Sequence, residues 1–449
     1  MKTGTNRKNI WLYIVVFLVS VVSCMIRYPD FETTLWSASD TNYQCLMNAK
    51  AMLEADEETV SFLPLITFSE DTDYGLEYSS GALDQKTGNY FYYISFPSFP
   101  FVVLTLFFKI TELSVNEVSL YIFCSILFCI SALVVVRLFV TVFSDRLNEC
   151  CIVFVTGTTY LFSYEIMHSM GLTYWGQNWY MIFFPLLFLE FIKIEHLDRP
   201  AFKDYFIFTV FGFLLLQTEW SGYFALFAFW AISVIRLIKH KESKYIYFVI
   251  GIAVQVIISA ILFVVLRANV VGFQEFINVI KQRSAGRIKI SDYSLFAVEK
   301  SLMYSFGNSI ILTAAFAVWM ILYNLKNNKR MSVKKEYITV CVLFSVPILE
   351  NHLFMNHALT YSMDKMKWYF IIHFILVYSV SELISLTNAK RIVFYSIGSI
   401  MMISLFSYLF VENNYRWHDE RLKASSELAQ FINTNYGDNV LGQLGDNSV

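Results

Sequence analysis

Apolar residues recur along this chain in long stretches separated by short polar turns. Stretches of roughly 18 to 25 residues match the ~20 that a helix needs to cross about 30 Å of hydrocarbon. Read this way, the pattern predicts spans at approximately 10–26, 117–140, 149–166, 178–194, 204–219, 222–238, 245–266, 303–324, 336–350, 368–386 and 391–411. That makes about eleven transmembrane helices in an all-α polytopic membrane protein. The segment 92–110 is apolar too, but FYYISFPSFPFVV places Pro97 and Pro100 near its start, and each removes a backbone donor and disfavours a regular helix. It is therefore expected to be interfacial or re-entrant rather than crossing.

Charge fixes the expected orientation. From Arg27 to Asn89 acidic residues such as Asp30, Glu32, Asp40, Glu57, Asp71 and Asp84 far outnumber Arg27, Lys50 and Lys86, which puts this loop outside the cytoplasm. The loops Lys193 to Lys203, Arg236 to Lys244, Lys326 to Lys335 and Lys390 to Arg391 are basic and expected in the cytoplasm. All signs agree only if 92–110 does not cross. The N-terminus is then inside, and the run from Ile10 behind Lys2, Arg7 and Lys8 reads as a retained signal anchor. The segment 412–449 is expected outside as a short appendage to a membrane domain covering 1–411.

Composition strengthens this picture. Of 449 residues 56% are hydrophobic, 18% aromatic and only 16% charged, against about a quarter charged in soluble proteins. A net charge of -2, with basic residues scattered in short clusters, excludes a nucleic-acid partner and leaves the lipid bilayer as the first one. The seven cysteines show no C-x-x-C spacing and read as buried thiols.

Carboxylates are nearly absent from the middle of the expected spans, which argues against an ion-coupled transporter and for a site at the outer interface. Four outer segments carry candidate chemistry. In SASDTNYQCLMNAKAMLE, apolar positions at helical spacing predict an amphipathic helix with Asp40 in its first turn or at its N-cap. There the orphan amides keep a carboxylate ionised, so Asp40 either only caps the helix or also accepts a proton. The loop FQEFINVIKQRSAGRIKISDY gathers Lys281, Arg283, Arg287 and Lys289 outside the membrane, as a solvated face or as a site for an anionic headgroup. Finally, ENHLFMNHALTYSMDKMKWYF offers His352, His357, Tyr361, Asp364, Lys365 and Lys367. Its H-x4-H spacing lacks the H-E-x-x-H pattern of a metal site, so contact of His357, Tyr361 and Lys365 or Lys367 with phosphate is the expected use. HSMGLTYWGQNW adds His168 and several aromatics of the interface belt.

This organisation resembles the GT-C superfamily of membrane glycosyltransferases, which take a sugar from a polyprenyl-phosphate carrier on the non-cytoplasmic face. The tract LWSASDTNYQCLMNAKAML, with Asp40 followed by x-x-Tyr at Tyr43, is similar to the corresponding tract of lipid A aminoarabinose transferases and protein O-mannosyltransferases. YFYYISFPSFPF and KQRSAGRIK match the aromatic, proline-bearing element and the basic outer loop of that superfamily. The resemblance implies a catalytic base at Asp40, substrate contacts from Tyr43 and the basic loops, an inverting displacement, and a glycan, lipid A-like or protein acceptor in a bacterial cell envelope. Many relatives carry a second Asp before the fourth span. Here that loop has none, and Glu165 and His168 are the nearest polar groups. The use of a divalent metal is therefore left open. A flippase or transporter for lipid-linked oligosaccharides would need polar residues along its spans. An O-antigen polymerase or ligase would carry its largest loop late in the chain.

Overall fold

The computed structural model describes residues 9–31, 39–55, 62–67, 81–288, 296–327, 335–386 and the pairs 393–394 and 397–398. The chain divides into two compact units, 1–405 and 406–449, of which the second lies outside the described residues, as does most of the span expected at 391–411.

The described residues are helical almost throughout. Helix α1 (Ile10–Phe31) leads to α2 (Ser39–Glu54), and a two-stranded antiparallel hairpin follows, β1 (Gly81–Leu83) with β2 (Phe91–Tyr93), in which Ala82 faces Tyr92. Next come α3 (Phe99–Thr111), α4 (Glu117–Phe143) and α5 (Glu149–Leu161), then a π-helical turn at Ile166–Met170. Helices α6 (Gly176–His196), α7 (Phe202–Thr218), α8 (Ser221–His240), α9 (Ser243–Val271), α10 (Phe273–Ile288) and α11 (Ala297–Lys326) form the middle of the chain. It continues with α12 (Lys335–Phe344), α13 (Val346–Leu353), α14 (Met355–Thr360), a 3-10 turn at Ser362–Trp368 and α15 (Tyr369–Leu386).

Among the described residues six helical segments are long and apolar enough to cross a membrane: Ile10–Tyr28, Glu117–Phe143, Ser221–His240, Ser243–Val271, Ala297–Lys326 and Met363–Ser385. Of the other expected spans, 178–194 is the continuous 21-residue helix α6, with Pro185 inside it, and three more are shorter or broken. Helix α5 has 13 residues before the π-helical turn takes over, and α7 has 17. The span expected at 336–350 is split at Ser345, because Pro347 two residues on cannot donate to the preceding turn.

Polar contacts sort the helix ends into two rims. At the first, Asn9 Nδ2 donates to Glu149 at 2.5 Å, Lys193 meets Asp204 at 3.0 Å, Lys244 Nζ reaches the Glu195 carbonyl at 3.0 Å, and Tyr337 OH donates to Asp145 at 2.9 Å. Arg146 pairs with Glu382, and Arg236 with Glu195, on the same rim. This is the basic rim.

The opposite rim is built by the first long loop. Helix α3 begins beside Trp179 of α6, with Phe99 and Trp179 rings 5.3 Å apart. It ends five residues before α4, whose Glu117 stands beside Tyr43 of α2. Both ends of α3 thus lie at one rim, and its 13 residues do not carry the chain across. Two arginines buried to 1% exposure fasten this layer. Arg27 donates to the carbonyls of Ser23 (3.0 Å) and Met167 (2.7 Å) and lies over the Phe128 ring at 4.1 Å. Arg267, in α9, donates to the carbonyls of Ile94 (2.8 Å), Phe96 (2.6 Å) and Phe263 (3.0 Å) and to Ser98 Oγ (3.3 Å), with Phe263 stacked 3.6 Å below its guanidinium. The prolines of FPSFP leave few amides to hold the segment in a ladder, so a planar five-donor group takes over its carbonyls. Replacing Arg267 by Met should cost about 1–3 kcal/mol through the orphaned acceptors. A lowered midpoint of thermal unfolding and faster proteolysis within 94–98 are the expected results, and an unchanged melting curve would show that this clamp is dispensable.

Candidate functional site

The 3-10 turn Ser362–Trp368 organises the far rim. With three residues per turn, positions i and i+3 eclipse, so Asp364 and Lys367 share one side and Lys365 points elsewhere. Lys367 Nζ and Asp364 Oδ1 are accordingly 3.6 Å apart, while Lys365 Nζ donates to Ser301 Oγ of α11 at 2.8 Å.

Lys367 has no exposed surface. Its ammonium donates to Glu219 Oε1 at 3.0 Å, to Glu350 Oε1 and Oε2 at 3.0 and 3.1 Å, and to Ser221 Oγ, which in turn donates to Glu350. The Tyr180 ring lies 5.6 Å from the same nitrogen. Glu219 sits in the turn between α7 and α8, Glu350 in α13, Ser221 at the start of α8 and Tyr180 in α6. One cation thus ties four parts of the chain together.

Asp364 extends the network toward the surface. Its Oδ1 accepts from Gln177 Nε2 of α6 at 2.5 Å, its Oδ2 accepts from His357 Nδ1 of α14, and its backbone carbonyl lies 3.5 Å from Asn351 Nδ2. The Asp364 side chain is 5% exposed, whereas that of His357 is 18% exposed, so the dyad opens outward through the imidazole. Tyr361 covers one face of that ring at 4.7 Å.

Helix α10 closes on this opening. Asn356 Nδ2 donates to the Gly286 carbonyl at 2.6 Å, which pins α14 against α10 one residue before Arg287. Burial pushes the Arg287 guanidinium below its ordinary value, while Tyr93, Asp364 and Tyr361 stand near enough to favour its charge and Arg283 opposes it. Arg283 is half-buried, Lys281 is exposed, and Lys289 lies outside the described residues.

A third wall comes from the π-helical turn Ile166–Met170, which packs on the 3-10 turn. Here Ser169 Oγ donates to the buried Glu165, and the buried His168 ring stacks on Tyr164 at 5.9 Å. Burial, seconded by the charge of Lys365, lowers His168 to about 4. It is neutral near pH 7 and offers hydrogen bonds rather than positive charge. Just beyond it, Asn42 of α2 donates to the Leu172 carbonyl (2.9 Å) and accepts from the Tyr174 amide (2.9 Å). Asp40 is the second residue of α2, in its first turn, two positions before this anchor. Its side chain lies outside the described residues. Tyr43 is half-exposed on the same helix, beside Glu117.

Two outer segments that are separate in sequence therefore meet: Arg287 approaches Asp364 and Tyr361, with His357 beside them. Lys365 and Lys367, grouped with them as phosphate contacts by sequence, are turned away, one to Ser301 and one into the interior. Tyr43 and Lys281 stand apart from this group. Sequence reasoning took Glu219 and Glu350 as helix-end residues, offered Gln177 only among the polar groups of HSMGLTYWGQNW, and passed over Ser221. The available signal was two acidic residues, in QTEWSGY and PILENHLF, at the outer ends of apolar stretches where aromatics would suffice. Among the described residues no group of three or more His, Cys, Asp or Glu side chains is placed to hold a metal ion.

No protein-family model matches the chain, and no curated protein matches it significantly. Among solved structures, it is similar to the crystal structure of the Archaeoglobus fulgidus oligosaccharyltransferase in its apo form. The likeness covers 97% of this chain at a TM-score of 0.50 and 10% identity. The architecture is of the GT-C type. The chain spans 59% of the length of that relative.

Proposed function

We propose that the protein is a membrane glycosyltransferase that moves a sugar from a polyprenyl-phosphate donor to a lipid-linked glycan, a lipid A-like molecule or a protein. Its N-terminus and basic rim face the cytoplasm of a bacterial inner membrane, and its site faces the periplasm or cell exterior, in keeping with the positive-inside rule. The observation that carries this reading is the fastening of α2 to Leu172–Tyr174. It stations the backbone of Asp40 on the rim where Arg287 and the His357–Asp364 pair gather.

In this mechanism Asp40, kept ionised by the first turn of its helix, takes the proton of the acceptor hydroxyl as that oxygen attacks the anomeric carbon. The bond to the carrier phosphate breaks on the opposite face, and the centre inverts. Arg287, with Arg283 and Tyr361 at the mouth, holds the phosphate charge as it develops. Tyr43 and the neutral His168 orient substrate hydroxyls. A transporter reading fares worse, because the charged network around Lys367 sits at one rim and is closed on itself rather than arrayed along a path.

Purified protein in lipid nanodiscs supplies the test. Transfer of radiolabelled sugar from a polyprenyl-phosphate donor, abolished in Asp40→Asn, is the expected result. Undiminished transfer by Asp40→Asn removes the base assignment. Movement of intact lipid-linked oligosaccharide between leaflets, with no glycosidic bond formed, removes the transferase.

A further inference from the structure

The His357–Asp364 pair is built for more than holding charge. Asp364 is fixed on three sides: Gln177 donates to Oδ1 at 2.5 Å, Lys367 Nζ stands 3.6 Å from the same oxygen, and His357 Nδ1 donates to Oδ2. Lys367 is itself immobilised between Glu219 and Glu350 with no exposed surface. A carboxylate locked this way dictates the orientation and tautomer of the ring it holds, as a buried acid orients a catalytic imidazole. With Nδ1 committed to Asp364, the ring nitrogen left for chemistry is Nε2. No described residue is hydrogen-bonded to it, and the 18% exposure of the side chain opens toward the rim. Arg287 and the Tyr361 ring flank that opening.

We propose that His357 is the proton donor to the departing phosphate, and that Asp364, braced by Gln177 and the Lys367 knot, is its positioning residue. This rests on the transferase reading and adds its second half. Asp40 takes a proton on the acceptor side while His357 gives one on the carrier side. As the acceptor oxygen bonds to the anomeric carbon, the carbon–oxygen bond to the carrier breaks and its electron pair stays on the phosphate oxygen. The Nε2 proton passes to that oxygen, so the carrier leaves as a singly charged monoester and the imidazole is left neutral. Solvent at the rim returns the proton from Asp40 to His357, and the cycle closes with no other reactant.

Farnesyl phosphate is the probe, bound to the full chain in nanodiscs at about pH 8, where the free monoester, with a second pKa of about 6, is dianionic. Titration calorimetry gives its affinity and phosphorus-31 resonance its protonation state, with farnesol as the phosphate-free comparison. Wild-type protein should bind the phosphate well above farnesol and hold it as the monoanion. The amide of Gln reaches the position of Nε2, whereas that of Asn reaches only that of Nδ1. His357→Gln should therefore keep the affinity within about threefold but release the ligand as the dianion. His357→Asn and Asp364→Asn should each lose about tenfold or more, the worth of one hydrogen bond to a charged group. Equal affinity and an unchanged resonance in His357→Gln and His357→Asn would overturn the assignment. So would a dianion on the wild type, or phosphate bound no tighter than farnesol. The probe carries no sugar, so these outcomes stand apart from the transfer assay, which decides the transferase reading by itself.

Discussion

Lys367→Met should destabilise the protein by about 3–5 kcal/mol, the cost of removing one partner from a buried ion pair and leaving the other charges uncompensated. The size follows from the count of charges rather than from the hydrogen bonds alone. Glu219 Oε1 and both oxygens of Glu350 lie within 3.1 Å of Nζ, and Asp364 follows at 3.6 Å, so one cation serves three buried carboxylates. Met fills the volume of the aliphatic stem but leaves these acids facing one another in a low-dielectric interior, where each must take up a proton or drag in water. Thermal unfolding in detergent measures the loss. The triple variant Lys367→Met, Glu219→Gln, Glu350→Gln removes charge from both sides and should recover part of it, because neutral isosteres escape the penalty that the single change creates. A single variant that melts with the wild type would mean that the interior there is already hydrated and that the knot contributes little.

The contrast between this knot and the outline of the fold shows what a sequence can reveal. Helices such as α4 and α9 were legible because long apolar runs have one cheap solution in a bilayer, and the two rims were legible because charge clusters between those runs. The short α3 could be read because Pro97 and Pro100 act locally on their own backbone. Glu219 and Lys367, by contrast, are 148 positions apart. Each alone looks like a helix-end residue whose stem snorkels to the interface, and only tertiary packing turns them inward. Arg267 was equally hidden: its partners are carbonyl oxygens of Ile94 and Phe96, and every residue has a carbonyl. The meeting of the Arg287 and His357 segments depended on α14 docking against α10, where Asn356 donates to the Gly286 carbonyl, and no spacing rule announces that contact. The split at Ser345 and the shortness of α5 reflect the same limit, since hydropathy reports where apolar residues are and says little of where a helix yields to a turn.

Asp40→Asn should lower the transfer rate by about 10²–10⁴-fold, or roughly 3–5 kcal/mol of barrier, the usual worth of a positioned general base. Stability should hardly change. Asp40 stands in the first turn of α2, where a carboxylate gains about 0.3–1 kcal/mol from the helix dipole, and Asn retains the hydrogen-bonding part of that role. The separation of the two effects discriminates capping from catalysis, which local sequence alone left open. If Asp40 only ends a helix, Asn is nearly neutral in both rate and melting temperature, while Ala lowers both together. If Asp40 is the base, Asn and Ala are about equally inactive although Asn is the more stable. The helix itself is held two residues away by the paired bonds of Asn42 to Leu172 and Tyr174, so neither substitution should release α2 from the rim. Asp40→Glu refines the measurement, because it keeps the charge but moves the carboxylate by one methylene. A positioned base should then lose part of its rate with little change in KM, since misplacement by about 1 Å is enough to cost ~10²-fold. An Asn variant that retains more than about a tenth of the wild-type rate would exclude Asp40 as the base, as that loss is smaller than a general base provides.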